Sequence, residues 1–225
     1  MNEQLKERLE SIRDRIETAA KRSGRAKDAV KLIAVTKTYP ASALQELIDL
    51  GVRDLGENRA DEIVSKAPEL KGDYELHMIG HLQTNKVARV LPHVKWIQSI
   101  DRQRLISRIE FLHSGSPIKA LVEVNTSGEE SKTGCTPQEC RQICELVAKS
   151  SALRFCGLMT IGPLEGGEKK TREAFTMLRE LAQDVKDLSP QPELSMGMSG
   201  DFEWAIEEGA TMVRIGTLLL GGRHR

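Results

Sequence analysis

Residues 194–217 read LSMGMSGDFEWAIEEGATMVRIGT. A short apolar run, Leu194–Gly197, breaks at Ser199-Gly200-Asp201. A compact helical pattern follows over Asp201–Glu208 and stops at Gly209. Glycine ends a helix readily because it enters the left-handed conformation without a Cβ clash. A second apolar run, Val213–Gly216, comes next. Strand, helix, strand is the unit from which parallel sheets are built.

The same cadence runs back through the chain. Apolar runs occupy Leu32–Val35, Asp54–Gly56, Glu75–Gly80, Trp96–Ile100, Ala120–Asn125 and Phe155–Ile161, which with the first two makes eight. Helical patterns separate them, at Ser42–Leu50, Asn58–Lys66, Thr84–Val90, Arg102–Leu112, Pro137–Ser150 and Glu168–Leu188. Thr136 is the expected N-cap of the helix from Pro137, with Glu139 three residues on, the spacing of a capping box. Strands that are apolar throughout are buried on both faces, so helices must cover the sheet. Eight regular units favour closure into a single (β/α)8 TIM-type barrel over an open doubly wound sheet. The barrel is expected to span residues 1–225 as one domain. Leu5, Leu9, Ile12, Ile16 and Ala19 form one helical stripe before the first strand. Only nine residues follow Gly216, too few for a full eighth outer helix. The extra N-terminal helix is therefore expected to cover part of that gap.

Composition narrows the function. Lys plus Arg and Asp plus Glu both number 33, so the formal net charge is zero, and aromatic residues are 4%. That combination argues against a nucleic-acid or anionic-membrane partner. No apolar stretch is long enough to span a bilayer. Residues 1–25 carry acids and no apolar signal core, so a cytoplasmic protein is expected. The four cysteines, Cys135, Cys140, Cys144 and Cys156, contain no CxxC pair. Cys140 and Cys144 share a helix face, but no second ligand pair matches them, and no metal site is expected.

In such barrels the site lies at the C-terminal ends of the strands. Ser199-Gly200-Asp201 and Gly216-Thr217 are the loops after strands seven and eight, the frequent phosphate site of the fold. The bland alternative is a helix cap at Asp201 and a turn at Gly216. Lys37 ends the first strand, in LIAVTKTYP (32–40), across from that cradle. A lysine desolvated there would lose its proton more easily and could attack an aldehyde; the alternative is a solvated strand cap. Arg214 ends the last strand, and its alternative is an ion pair with Asp201 or Glu57.

These segments carry a resemblance. LIAVTKTYP (32–40), GENRADE (56–62), HMIGHLQTNK (77–86), GLMTIGP (157–163), LSMGMSGDFEWAIEEGATMVRIGT (194–217) and the closing GG (221–222) together resemble the pyridoxal phosphate homeostasis protein family. The resemblance implies a barrel similar to the alanine racemase N-terminal domain, without that enzyme's second domain. It implies that pyridoxal 5′-phosphate (PLP) is the cofactor. By the same resemblance Lys37 is the Schiff-base lysine, and Ser199, Gly216 and Thr217 contact the phosphate. Arg214 faces the pyridine nitrogen, which an arginine leaves unprotonated. Asn58, His81, Met159, Met196 and Gly197 line the pocket, and Lys132, in ESKTG, assists PLP transfer. The chain departs from the family at Tyr39, where many members have a second lysine, and at Leu219-Leu220-Gly221, where members carry an aromatic residue.

Three functions follow. The first is a PLP carrier that holds the cofactor as a Schiff base, delivers it to apo-enzymes as transient partners, and has no enzymatic role of its own. The second is a PLP-dependent amino-acid racemase of weak activity, with Tyr39 as an imperfect second base. The third is a Schiff-base aldolase, which leaves Arg214 unexplained. A monomer is expected, since no second domain or large apolar run offers an interface.

Overall fold

The computed structural model describes residues 3–221. Gly222, the second glycine of the closing pair, lies outside the described residues. Eight strands follow one another: β1 (Lys31–Val35), β2 (Asp54–Glu57), β3 (Glu75–Met78), β4 (Trp96–Ile100), β5 (Ile118–Glu123), β6 (Leu153–Met159), β7 (Glu193–Ser195) and β8 (Met212–Ile215). They pair in chain order, all parallel, and β8 returns to β1 to close the barrel. The helices are α1 (Glu3–Arg22), α2 (Ala41–Asp49), α3 (Ala60–Lys66), α4 (Val87–Val90), α5 (Gln103–Leu112), α6 (Cys140–Lys149), α7 (Gly167–Gln183), α8 (Phe202–Glu207) and α9 (Thr217–Leu220).

Side-chain alternation divides the core in two. Ile33, Trp96, Leu121, Cys156, Met159 and Met212 cluster inside the barrel. Ala34, Leu55, Leu76, Ile97, Ala120 and Leu158 face outward and pack into the larger core beneath the helices. Both faces are buried, which is why apolar residues dominate the strands.

The N-terminal stripe is buried as its spacing requires: Leu5, Leu9, Ile12, Ile16 and Ala19 are all in the core. Helix α1 packs against α8 and α9. Both of those helices are short, so α1 supplies the apolar cover that a long eighth helix would otherwise provide.

Most boundaries shift by one to three residues from the sequence expectation, and three differences have a visible cause. Strand β5 ends at Glu123 rather than Asn125, and Val124 instead bridges to Cys135, folding the loop of Lys132 back over the strand end. Helix α6 begins at Cys140 rather than Pro137. The capping-box bonds are present all the same: the Thr136 N–H donates to Glu139 Oε2 at 2.9 Å and the Glu139 N–H to Thr136 Oγ1 at 3.3 Å. They close a turn one step before the helix. Helix α7 ends at Gln183, after which the bonds shorten to i→i−3, as from the Leu188 N–H to the Val185 carbonyl at 3.0 Å.

Candidate functional site

Lys37 occupies the turn that follows β1 and is half-buried. Ile33 faces the barrel interior, Ala34 the helix layer, and Thr36 bonds to groups on the helix side. The alternation puts position 37 on the interior side. Its neighbours are fastened by one ion cluster. Lys66 Nζ, on α3, donates to the Thr36 carbonyl at 3.1 Å, to Glu57 Oε1 at 2.8 Å and to Glu62 Oε2 at 2.6 Å. Thr36 Oγ1 donates to Glu57 Oε1 at 2.7 Å, and the Thr38 N–H to Glu62 Oε2 at 2.7 Å. Thr38 has φ of 72°, and it is the one non-glycine residue with positive φ among the described residues. A β-branched residue adopts that conformation only when its surroundings impose it.

Burial pushes the Glu57 carboxyl up, against the pull of Lys66 and Thr36. Burial also acts upward on Glu62, but there the hydrogen bonds from Lys66 and Thr38 prevail and hold the group below its ordinary value. Sequence reasoning missed this cluster. Its signal was a lysine on the buried stripe of α3, with Ala60 and Ile63.

Barrel closure corrects one expectation. Lys37 does not sit across from the loops after β7 and β8 but beside the end of β8. Strands β1 and β8 pair, with Ile33 opposite Arg214 and Ala34 opposite Ile215. A Cβ added at Gly216 would stand 3.3 Å from Val35 Cβ. The loops after β7 and β8 meet where the Leu218 N–H donates to Ser199 Oγ at 3.4 Å. Thr217 is exposed at the rim and Ser199 is half-buried. Asp201 does not cap α8 through its side chain; its Oδ1 accepts the Met198 N–H at 2.6 Å, inside the turn. Gly197 has φ of 92°, and a Cβ there would lie 2.6 Å from Ala205 Cβ. Only glycine lets α8 approach this closely.

Arg214 is 4% exposed. Its Nη1 donates to Ser195 Oγ at 2.7 Å and its Nη2 to the Thr160 carbonyl at 2.8 Å. The direct partners are neutral oxygens, not the Asp201 or Glu57 carboxylates that the sequence left open. Glu57 lies on the helix side, bound to Lys66. Burial draws the guanidinium down to about 10, with Glu123 and Asp201 acting against that shift from a distance. It therefore remains charged at neutral pH. Glu123 is buried at the end of β5; its Oε1 accepts the Thr133 hydroxyl at 2.6 Å, while Oε2 has no partner among the described residues. Ser99 Oγ is also buried and without a partner among the described residues.

The remaining expected residues divide. Met159 lies in the interior cluster, below the mouth. Met196 is a correction: its side chain packs into the core beneath the helices, because it is one step out of phase with the inward-facing Ser195. Asn58 and His81 line a shallow hollow on the rim with Arg59 and Lys86, and His81 Nδ1 stands 3.5 Å from Asp101 Oδ2. Lys132 does not face solvent. Its Nζ donates to the Gly162 carbonyl and pairs with Glu129 at 3.5 Å, which ties the loop after β5 to the loop after β6. Tyr39 Oη donates to the Gly221 carbonyl at 2.9 Å.

The mouth thus brings together an amine on the turn after β1, hydroxyls and glycine backbone on the loops after β7 and β8, and a charged, neutrally partnered arginine on β8. An amine captures aldehydes, and hydroxyl and amide donors hold an oxyanion such as phosphate.

Comparison with known proteins shows the family of the chain. Residues 8–224 match the family described as alanine racemase, N-terminal domain. The pyridoxal phosphate homeostasis protein of Aquifex aeolicus is 41% identical over 222 residues, covering 96% of this chain and 97% of that protein. The protein of the same name from Vibrio cholerae is 40% identical, covering 97% and 96%. The structure of PipY from Synechococcus elongatus with PLP bound superposes with a TM-score of 0.81 at 34% identity, covering 96% of this chain and all of that one. An alanine racemase from Clostridium difficile, 17% identical, shares the fold with a TM-score of 0.74, and the match covers 58% of its length.

Proposed function

Because the chain belongs to the alanine racemase N-terminal domain family and, within it, to the pyridoxal phosphate homeostasis proteins, we propose that it binds PLP reversibly in the barrel mouth and serves intracellular PLP homeostasis. PLP supplies an aldehyde that a lysine amine captures as a Schiff base, with a phosphate and a pyridine ring to anchor it. Lys37 is the capturing amine. The Ser199 and Thr217 hydroxyls and the Gly216 backbone hold the phosphate. Arg214 faces the pyridine nitrogen and donates a hydrogen bond there, since it has no acceptor and keeps its proton. Gly197 and Met159 shape the pocket floor, Asn58 and His81 its rim. Lys132, tucked between two mouth loops, exchanges with Lys37 as PLP leaves.

The observation that carries this reading is the adjacency of three strand ends. Strands β7, β8 and β1 are consecutive neighbours, so the loop of Ser199, the strand of Arg214 and the turn of Lys37 adjoin one another. The residues fit the cofactor in charge as well: the buried arginine has neutral direct partners, which leaves its positive charge to an anionic ligand.

The test is direct. Purified protein mixed with PLP should develop visible absorbance, and borohydride followed by peptide mass analysis should locate the pyridoxyl group on Lys37. No absorbance and no label would reject PLP binding; a label elsewhere would reject Lys37. Delivery is tested by recovery of activity in an apo-PLP-enzyme mixed with the loaded protein. We read the protein as a cytoplasmic monomer, which light scattering and fractionation check.

The racemase reading fares less well. It needs a second base, and the Tyr39 hydroxyl is engaged with Gly221. Chirality exchange of alanine by the loaded protein would restore it.

A further inference from the structure

Barrels of this kind usually fill their interior with branched aliphatic side chains. Here His77, Gln98 and Ser195 are fully buried in the interior with Arg214. Buried polar groups are costly unless every one is bonded, and these are bonded in series. Arg214 Nη1 donates to Ser195 Oγ at 2.7 Å, and Ser195 Oγ donates to Gln98 Oε1 at 2.7 Å. Gln98 Nε2 lies 2.9 Å from His77 Nδ1, and His77 Nε2 lies 2.9 Å from Asp54 Oδ1.

The directions are settled by chemistry. An amide nitrogen only donates, so His77 Nδ1 accepts and its proton sits on Nε2, facing the Asp54 carboxylate. Turning the Gln98 amide over would aim its NH2 at a serine oxygen that already accepts from Arg214. It would also require a proton on His77 Nδ1, which leaves Nε2 bare against the Asp54 carboxylate unless the buried ring carries both protons. Burial holds that ring neutral, against the opposing pull of Asp54. Every donor therefore points the same way, from the cation Arg214 to the anion Asp54. Each bond polarises the next. The far end is braced: Trp96 stacks on His77 with ring centroids 5.3 Å apart, and Lys31 pairs with Asp54 at 3.5 Å.

We propose that Ser195, Gln98 and His77 are positioning residues that hold the Arg214 guanidinium in a single orientation toward the barrel mouth. The consequence for PLP rests on the reading of Arg214 as the pyridine partner; the positioning itself does not. A loose arginine could rotate away or share a water instead. Anchored through Ser195 and the Thr160 carbonyl, it presents one fixed edge.

Two measurements test this. In the unliganded protein, nitrogen-15 NMR should show slowly exchanging Arg214 Nη–H signals, identified by their loss in Arg214→Ala. They should vanish or broaden in Ser195→Ala and Gln98→Leu and survive in Ser195→Thr, which keeps the hydroxyl. Sharp, unchanged signals in Ser195→Ala would overturn the proposal. That variant removes a single oxygen, so it remains informative if Gln98→Leu fails to fold. In the PLP-loaded protein, Ser195→Ala should weaken PLP binding about tenfold, the scale of one buried hydrogen bond to a charged group. It should also move the visible band in the same direction as Arg214→Ala, and add nothing in an Arg214→Ala background. Wild-type band and affinity in Ser195→Ala, with both altered in Arg214→Ala, would also overturn it. If the NMR result holds but Arg214→Ala leaves band and affinity untouched, the pyridine assignment fails and the positioning role stands.

Discussion

The Tyr39 hydroxyl donates to the carbonyl of Gly221 at 2.9 Å, joining the turn after the first strand to a residue 182 positions later. Tyr39 therefore acts as a clasp on the loop that carries Lys37. Tyr39→Phe removes one partly buried hydrogen bond, a loss of about 1 kcal/mol. In a chain of this size that lowers the melting temperature by about 2–4 °C. PLP uptake should stay at the wild-type level. A change in the chemistry of bound PLP with unchanged stability would show that the tyrosine acts on the ligand instead.

Lys37→Ala should abolish borohydride-fixed label while leaving measurable PLP binding. The hydroxyls and glycine backbone of the β7 and β8 loops are separate from the β1 turn, joined to each other through Ser199 and Leu218. Equilibrium dialysis with PLP checks this. Retention of the label would disprove the assignment of Lys37.

Arg214→Glu exchanges a group that only donates for one that accepts, and an acidic partner favours a protonated pyridine ring. The visible band of the PLP-loaded protein should shift. An unchanged spectrum and affinity would mean that residue 214 does not face the ring.

Lys66→Met should destabilise the fold by about 3 kcal/mol, since it leaves the Glu57 carboxylate buried without its cation. Glu57 is fully buried, and the Lys66 side chain is 9% exposed. Because Lys66 also bonds the Thr36 carbonyl, PLP uptake should fall as well, and Lys66→Arg should restore part of it. Denaturant unfolding and PLP titration measure the two effects.

The same cluster sets a pH dependence. Burial alone would raise the Glu62 carboxyl, but the bonds from Lys66 and Thr38 leave it depressed. A depressed carboxyl stabilises the fold above its unfolded-state value, and that stability is lost as pH falls through the folded-state value. Glu62→Gln should therefore be less stable than wild type at about pH 7, with the gap closing toward about pH 3. A gap that widens on acidification would reverse the assignment.

Gly80→Ala would place a Cβ 2.3 Å from the Asn58 carbonyl oxygen, where the ends of β2 and β3 come together. Backbone must yield, at a cost of about 1–3 kcal/mol. Unfolding measurements should show that loss, and wild-type stability would mean that the rim relaxes freely.

Much of this was legible in the sequence. Eight apolar runs divided by helical patterns specify a parallel sheet covered by helices and favour its closure into a barrel, because strands buried on both faces leave no other periodicity and only helices can cover them. The stripe Leu5, Leu9, Ile12, Ile16, Ala19 specified the covering helix. Lys37, Ser199, Arg214 and Gly216 stood out because they are polar or glycine residues at strand ends, where the fold builds its sites. Local pattern could not tell which strand ends are neighbours. Closure made β8 the neighbour of β1, so the turn of Lys37 lies beside the end of β8 rather than across from the loops after β7 and β8. Nor could it tell which polar residues meet. Lys66 reaches Glu57 and Thr36 because α3 packs over the paired ends of β1 and β2, and Asp54, His77, Gln98, Ser195 and Arg214 form one line because strands far apart in sequence converge on a common interior. Periodicity along a chain encodes which face each residue occupies. Partners across the barrel depend on register, twist and closure, and those exist only once the whole sheet has formed.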